Sequence, residues 1–68
     1  MNINDIQVAV KEGIPFLIRM ADGEKYEVTD TNKIALGKTR VVVIDKHDLA
    51  HVLPLLTITG ISYLKSVK

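Results

Sequence analysis

The chain has 68 residues, no cysteine and a net charge of +1. That length holds one domain, the missing thiols exclude disulfides and thiolate metal centres, and so small a net charge does not by itself predict a nucleic-acid partner. Apolar residues make up 47% of the chain and sixteen of them are isoleucine or valine, a bias towards strand formers.

The first predicted element is a helix over about 4–12. Asn4 can cap the free N–H groups of the first turn, and Gln7 three positions on completes a capping-box spacing. Asp5 near the start and Lys11 near the end both suit the helix dipole. Ile3, Ile6 and Val10 recur at near-helical spacing and form one apolar side. Gly13 is placed for a left-handed C-terminal cap, and Pro15 forbids continuation.

Strands follow. Phe16-Leu17-Ile18-Arg19-Met20 leads through Asp22-Gly23 into Glu24-Lys25-Tyr26-Glu27-Val28, where Tyr26 and Val28 alternate with polar neighbours. Asp-Gly between two such runs predicts a hairpin with a type I′ turn, which needs positive φ at both central residues. Asp30-Thr31-Asn32-Lys33 breaks the pattern, and Ile34-Ala35-Leu36 reads as a short strand or half-turn before Gly37-Lys38. Arg40-Val41-Val42-Val43-Ile44 is the strongest strand. Its apolar residues do not alternate, which predicts cover on both faces, by the core on one side and by the helix or a partner on the other. Asp45-Lys46-His47-Asp48 is a connection, after which 49–53 returns and Pro54 ends the ladder. Leu55-Leu56 forms a tight turn before the last strand, 58–64, in which Ile58 and Gly60 are expected to face opposite to Thr59 and Ile61.

This order of a helix and five short strands predicts a mainly β fold, a small and strongly bent antiparallel sheet or barrel over 15–65. The whole chain, 1–68, is read as a single domain. The order looks like the Sm-like (SH3-like) family, which includes the bacterial RNA chaperone Hfq. Pro15-Phe16-Leu17-Ile18-Arg19-Met20-Ala21-Asp22-Gly23 is similar to that family's first hairpin, and the turn near Pro54-Leu55-Leu56-Thr57 to the turn before its last strand. Two departures stand out. Val28-Thr29-Asp30 stands where the family commonly has a glycine that bends the second strand, and Lys46-His47 falls one hairpin earlier than the Lys-His pair of Hfq. No RNA-binding residue is carried over. A closer resemblance is to a widespread group of short, uncharacterised bacterial proteins, carried by PFLIRMADG at 15–23, IAL at 34–36, VVVID at 41–45 and LLTIT at 55–59. That likeness implies a natural whole domain and brings no activity with it.

Residues with chemistry are few. His47 and His51, beside Asp45 and Asp48, have the i, i+4 spacing that holds zinc on a helix. On a strand the same spacing leaves them about 13 Å apart, so the reading is a solvated His47 at a loop tip and a half-buried His51. An Asp48–His51–Ser62 relay lacks any nucleophile elbow, and so small a domain has little room for a pocket of ordinary ligand size. The sequence assigns no catalytic, cofactor-binding or metal-binding residue.

Charge is uneven. Residues 1–30 hold three basic and six acidic groups, residues 31–68 six basic and two acidic. Such asymmetry suits head-to-tail contact between copies. Lys33, Lys38, Arg40 and Lys46 gathered on one side, with Tyr26 or Tyr63 to stack bases and Phe16 kept for the core, would suit a nucleic acid.

A chain this short buries only about 60% of its unfolded surface, so burial against a copy of itself is one source of stability. The preferred expectation is a non-enzymatic, self-associating interaction module, meeting its partner (itself, or another protein) through strand edges or the apolar stretches 41–44 and 53–56. The alternative is an Sm-like RNA- or DNA-binding protein, and the third reading is an enzyme using His47 and His51. MNINDIQVAV has no basic region followed by an apolar run, and no apolar stretch reaches the roughly 18 residues of a membrane span. A cytoplasmic protein without membrane contact is the expectation.

Overall fold

A computed structural model of the chain describes residues 2–64. The end of the expected sheet at residue 65, together with Lys65, Ser66 and Lys68, lies outside the described residues.

Helix α1 runs Ile3–Glu12 and is capped by Asn2, whose side chain accepts from the Asn4 backbone N–H at 2.9 Å. Asn4, expected as the cap, therefore sits inside the first turn. Both asparagines have the right chemistry. Starting one residue earlier brings Ile3 into the helix, where it packs with Val10 against the core beside the fully buried Ile6 and Ala9. Gly13 closes the helix at φ 70, donating its N–H to the Val10 carbonyl.

Six strands follow in the described residues: β1 Phe16–Met20, β2 Lys25–Val28, β3 Ile34–Leu36, β4 Arg40–Ile44, β5 Ala50–Pro54 and β6 Ile58–Tyr63. They form two antiparallel sheets of three strands, ordered β2-β1-β6 and β3-β4-β5. The fold is thus mainly β as expected, but with six strands instead of five and no closed barrel among the described residues. The reason lies at the break after Val28. No glycine is present there to bend one continuous strand. Instead Asp30 caps a 3₁₀ turn, Thr31–Lys33, by accepting from the Asn32 N–H at 2.9 Å, and Ile34–Leu36 becomes a strand of the other sheet. The chain crosses back through a second 3₁₀ turn, Leu55–Thr57, fixed by a 2.7 Å hydrogen bond from the Thr57 hydroxyl to the Pro54 carbonyl. Leu55 N–H donates to Thr39 and Ala21 N–H to Thr57, so this turn ties the first hairpin tip to the second sheet.

Phe16, Ile18 and Val28 from the first sheet, Val41, Val43 and Leu53 from the second, and Leu55 and Ile58 beside the second crossing form one buried cluster with Ile6 and Ala9 of α1. Facing in β6 departs from simple alternation. Arg19 pairs with Gly60 but Met20 with Ile58, so Thr59 is the extra residue of a bulge. Ile58 and Ile61 consequently both contribute to the core, where a regular strand would have set them on opposite faces. No helix among the described residues is long and apolar enough to cross a membrane.

Both tight hairpins use one turn. Gly23 donates its N–H to Met20 while Met20 donates to Glu24, and Asp48 donates to Asp45 while Asp45 donates to Leu49. This is a type I turn closed by one left-handed residue, the three-residue hairpin loop. Positive φ is therefore needed once per turn, at Gly23 (91°) and at Asp48 (65°), and Asp22 does not adopt it as a type I′ turn would require. Asp22 serves differently, its carboxylate accepting from the Glu24 N–H at 2.9 Å. A side chain at a left-handed position costs about 1–2 kcal/mol, less for aspartate. Gly23→Val should accordingly lower stability by about 1–2 kcal/mol, although a Cβ there meets nothing within 4 Å. Asp48→Gly should raise it by about 0.5 kcal/mol. Thermal melts of the two variants check both signs.

Candidate functional site

Two surfaces combine unusual composition with defined geometry. The first is a cleft of about 590 Å³ between the sheets, where an edge of β2 faces the far end of β4 and β5. It gives the domain more concave space than the little room expected from its size, as an open cleft and not an enclosed cavity. The space exists because the sheets do not close into a barrel: β2 and β5 are both edge strands, and side chains bridge the seam that backbone hydrogen bonds leave open. Lys25, Tyr26 and Glu27 are consecutive and all line it, so the cleft runs along the strand edge instead of over one face.

The bridge is a chain of three residues. Asp45 starts the turn after β4 and its Oδ1 accepts from the backbone N–H groups of His47 (2.8 Å) and Leu49 (3.0 Å). Its Oδ2 lies 2.7 Å from His51 Nε2. The His51 ring stands 5.0 Å from that of Tyr26 at 49°, joining β5 to β2 across the seam. With 32% of His51 and 28% of Asp45 still exposed, water screens the pair, so its main effect is to fix the imidazole, not to hold the fold.

The bond from His51, with help from the Leu49 and His47 N–H groups, lowers the Asp45 pKa from 3.8 to about 2. A depressed carboxylate pKa adds stability above the unfolded value, and that contribution fades as pH falls through the folded one. The stability difference between wild type and Asp45→Asn should therefore be full above pH 4 and shrink towards pH 2. Urea titrations across that window measure it; a difference independent of pH would contradict the arrangement.

Other expected residues fall as follows. His51 is half-buried on β5, and His47 is exposed in the turn, as read from sequence. The imagined Asp48–His51–Ser62 relay does not assemble. His51 is held by Asp45, whereas Ser62 lies on the first sheet beside Arg19, whose guanidinium donates to its hydroxyl. That guanidinium lies across Gly60, where an added Cβ would stand 2.7 Å from Nη2. Among the described residues no group of three or more histidine, cysteine or acidic side chains is placed to hold a metal ion. Lys33 and Lys46 line the cleft, but Lys38 and Arg40 do not, and Lys25 takes their place. Phe16 is buried in the core, Tyr26 is half-buried in the cleft wall and Tyr63 is about half exposed.

The second surface is the outer face of β3-β4-β5. Val41 and Val43 pair with Leu53 and His51 on the inner side, so the outward set comprises Ala35 on β3, Arg40, Val42 and Ile44 on β4, and Ala50, Val52 and Pro54 on β5. All but Arg40 are apolar. The expected cover over this face is absent from the chain's own described residues. The helix packs with the core instead, Val42 and Ile44 are only half-buried and Val52 is 56% exposed. No protein-family model matches the chain, and no curated protein is significantly similar to it.

Proposed function

We propose that the protein is a non-enzymatic, self-associating interaction module whose contact surface is the outer face of β3-β4-β5. The observation that carries this reading is a sheet face with six apolar outward positions out of seven, exposed at the centre of its own edge strand by Val52. Contiguous apolar surface rimmed by polar residues marks an interaction site. A second copy fits it. A two-fold axis through Val42, running across the strands, stacks the apolar positions of one copy on those of the other and leaves Arg40 of each at the rim, an isologous contact.

Three strands of this length offer a face only roughly 15 Å square, well short of the ~800 Å² per partner of a standard interface. Weak, transient association, seen only at high protein concentration, is the expectation for an area of this size. The order of a short helix and antiparallel strands also supports an Sm-like arrangement, for which a ring of copies is the favoured assembly. Light scattering after size exclusion, run from low to high micromolar protein, decides: a concentration-dependent dimer supports the two-fold contact, and a ring supports self-association through a different, head-to-tail surface. A clean monomer at the highest concentration removes its basis.

A further inference from the structure

The cleft between the sheets meets the self-association face only at Ile44 and asks for a different kind of partner. Its volume of about 590 Å³ falls within the roughly 300–1,000 Å³ of small-molecule sites. Three lysines, Lys25, Lys33 and Lys46, converge on it from β2, the first 3₁₀ turn and the turn after β4. One wall carries the tilted Tyr26–His51 ring pair, and the half-buried Leu17 adds aliphatic surface to the lining.

The acidic groups oppose an anion less than their number suggests. Asp45 already accepts from His51 and from two backbone N–H groups, so its charge is engaged by donors inside the protein. Among the described residues, Glu27 is the other carboxylate in the lining. Aromatic rings and aliphatic carbon next to three lysine side chains select a ligand with two parts: a planar ring that packs on one of those rings, and an anionic group attached to it.

We propose that this cleft binds a nucleoside phosphate, its base against Tyr26 and His51 and its phosphate among Lys25, Lys33 and Lys46. The shared chemistry comes from two sources, a free mononucleotide or one unit of a single strand. Ring stacking supplies affinity with little discrimination between bases, and the lysines make that affinity sensitive to salt.

Backbone amide and imidazole NMR shifts during titration with adenosine monophosphate at low salt test it. Saturable shifts centred on Tyr26, His51 and Lys46 are expected, and inorganic phosphate and adenosine should each bind about tenfold more weakly than the nucleotide. Lys25→Glu and Lys46→Glu, both at exposed positions, should each cost about tenfold in affinity with the spectrum of the free protein otherwise retained. Short oligonucleotides separate the sources: affinity rising with length assigns a strand, and equal affinity assigns the free nucleotide. No saturable shift at millimolar nucleotide, shifts centred elsewhere, or unchanged binding in both lysine variants would overturn the site. Val42 and Val52, at the centre of the self-association face, line no part of this cleft, so loss of self-association at Val42 would leave the titration interpretable.

Discussion

Phe16→Ala is expected to leave little folded protein at room temperature. Phe16 is the chain's only phenylalanine, is 1% exposed, and opens the central strand of the first sheet, pairing with Val28 on one side and Tyr63 on the other. Truncating a buried phenylalanine costs about 3–5 kcal/mol, because the transfer energy of the ring is lost and the cavity collapses only in part. A domain of this length has roughly 3–10 kcal/mol in total. The loss is therefore of the same size as the whole. Nothing covalent compensates, since there is no cysteine. Phe16→Leu keeps much of the volume and should fold with a lowered midpoint. Urea denaturation of both variants gives the measurement; a Phe16→Ala transition within 1 kcal/mol of wild type would mean that the core is not organised around this strand.

The positions that decide these effects differ in how visible they are along the chain. The helix, the hairpin at Asp22-Gly23, the strand 40–44 and the turn after Pro54 are all signalled by neighbours within a few residues, through caps, glycines, prolines and periodicity. What depends on distant partners is not signalled so. That Thr59 is the extra residue of a bulge follows from how β6 registers against Arg19 and Met20, about forty positions away. Likewise the cleft is assembled from β2, the Thr31–Lys33 turn and the end of β4, and Lys25 lies in the acidic half where a count by segments hides it. Along the chain Asp45 and His51 are only two polar residues six positions apart; that the acid is Asp45 and not Asp48 depends on the left-handed turn at Asp48, which returns β5 alongside β4. Asp30 shows the converse. The missing glycine after Val28 was legible, and its consequence, a capped 3₁₀ turn that divides one sheet into two, explains both the absent barrel closure and the space for the cleft.

Val42→Asp is expected to abolish self-association while the monomer stays folded. Val42 occupies the middle of β4, flanked by Ala35 and Val52, and its side chain points away from the core. On the two-fold reading it sits nearest the axis, so each substitution places two carboxylates against one another in a contact emptied of water. Desolvating two unpaired charges costs several kcal/mol each, enough to cancel the binding free energy of a weak contact of this size. The dimer should therefore dissociate at every accessible concentration. In the monomer the change is milder, a loss of about 1 kcal/mol from poorer strand preference on a wet face. Circular dichroism of the variant should match wild type, and sedimentation equilibrium should give a monomer where wild type associates. Should Val42→Asp fail to fold, Val52→Lys on edge strand β5 puts the same question, because that side chain is already 56% exposed and a lysine there costs the fold little. Association that survives both changes would place the contact elsewhere, at the strand edges or around the fully exposed Leu56 (96%), and the outer face of β3-β4-β5 would then need another occupant.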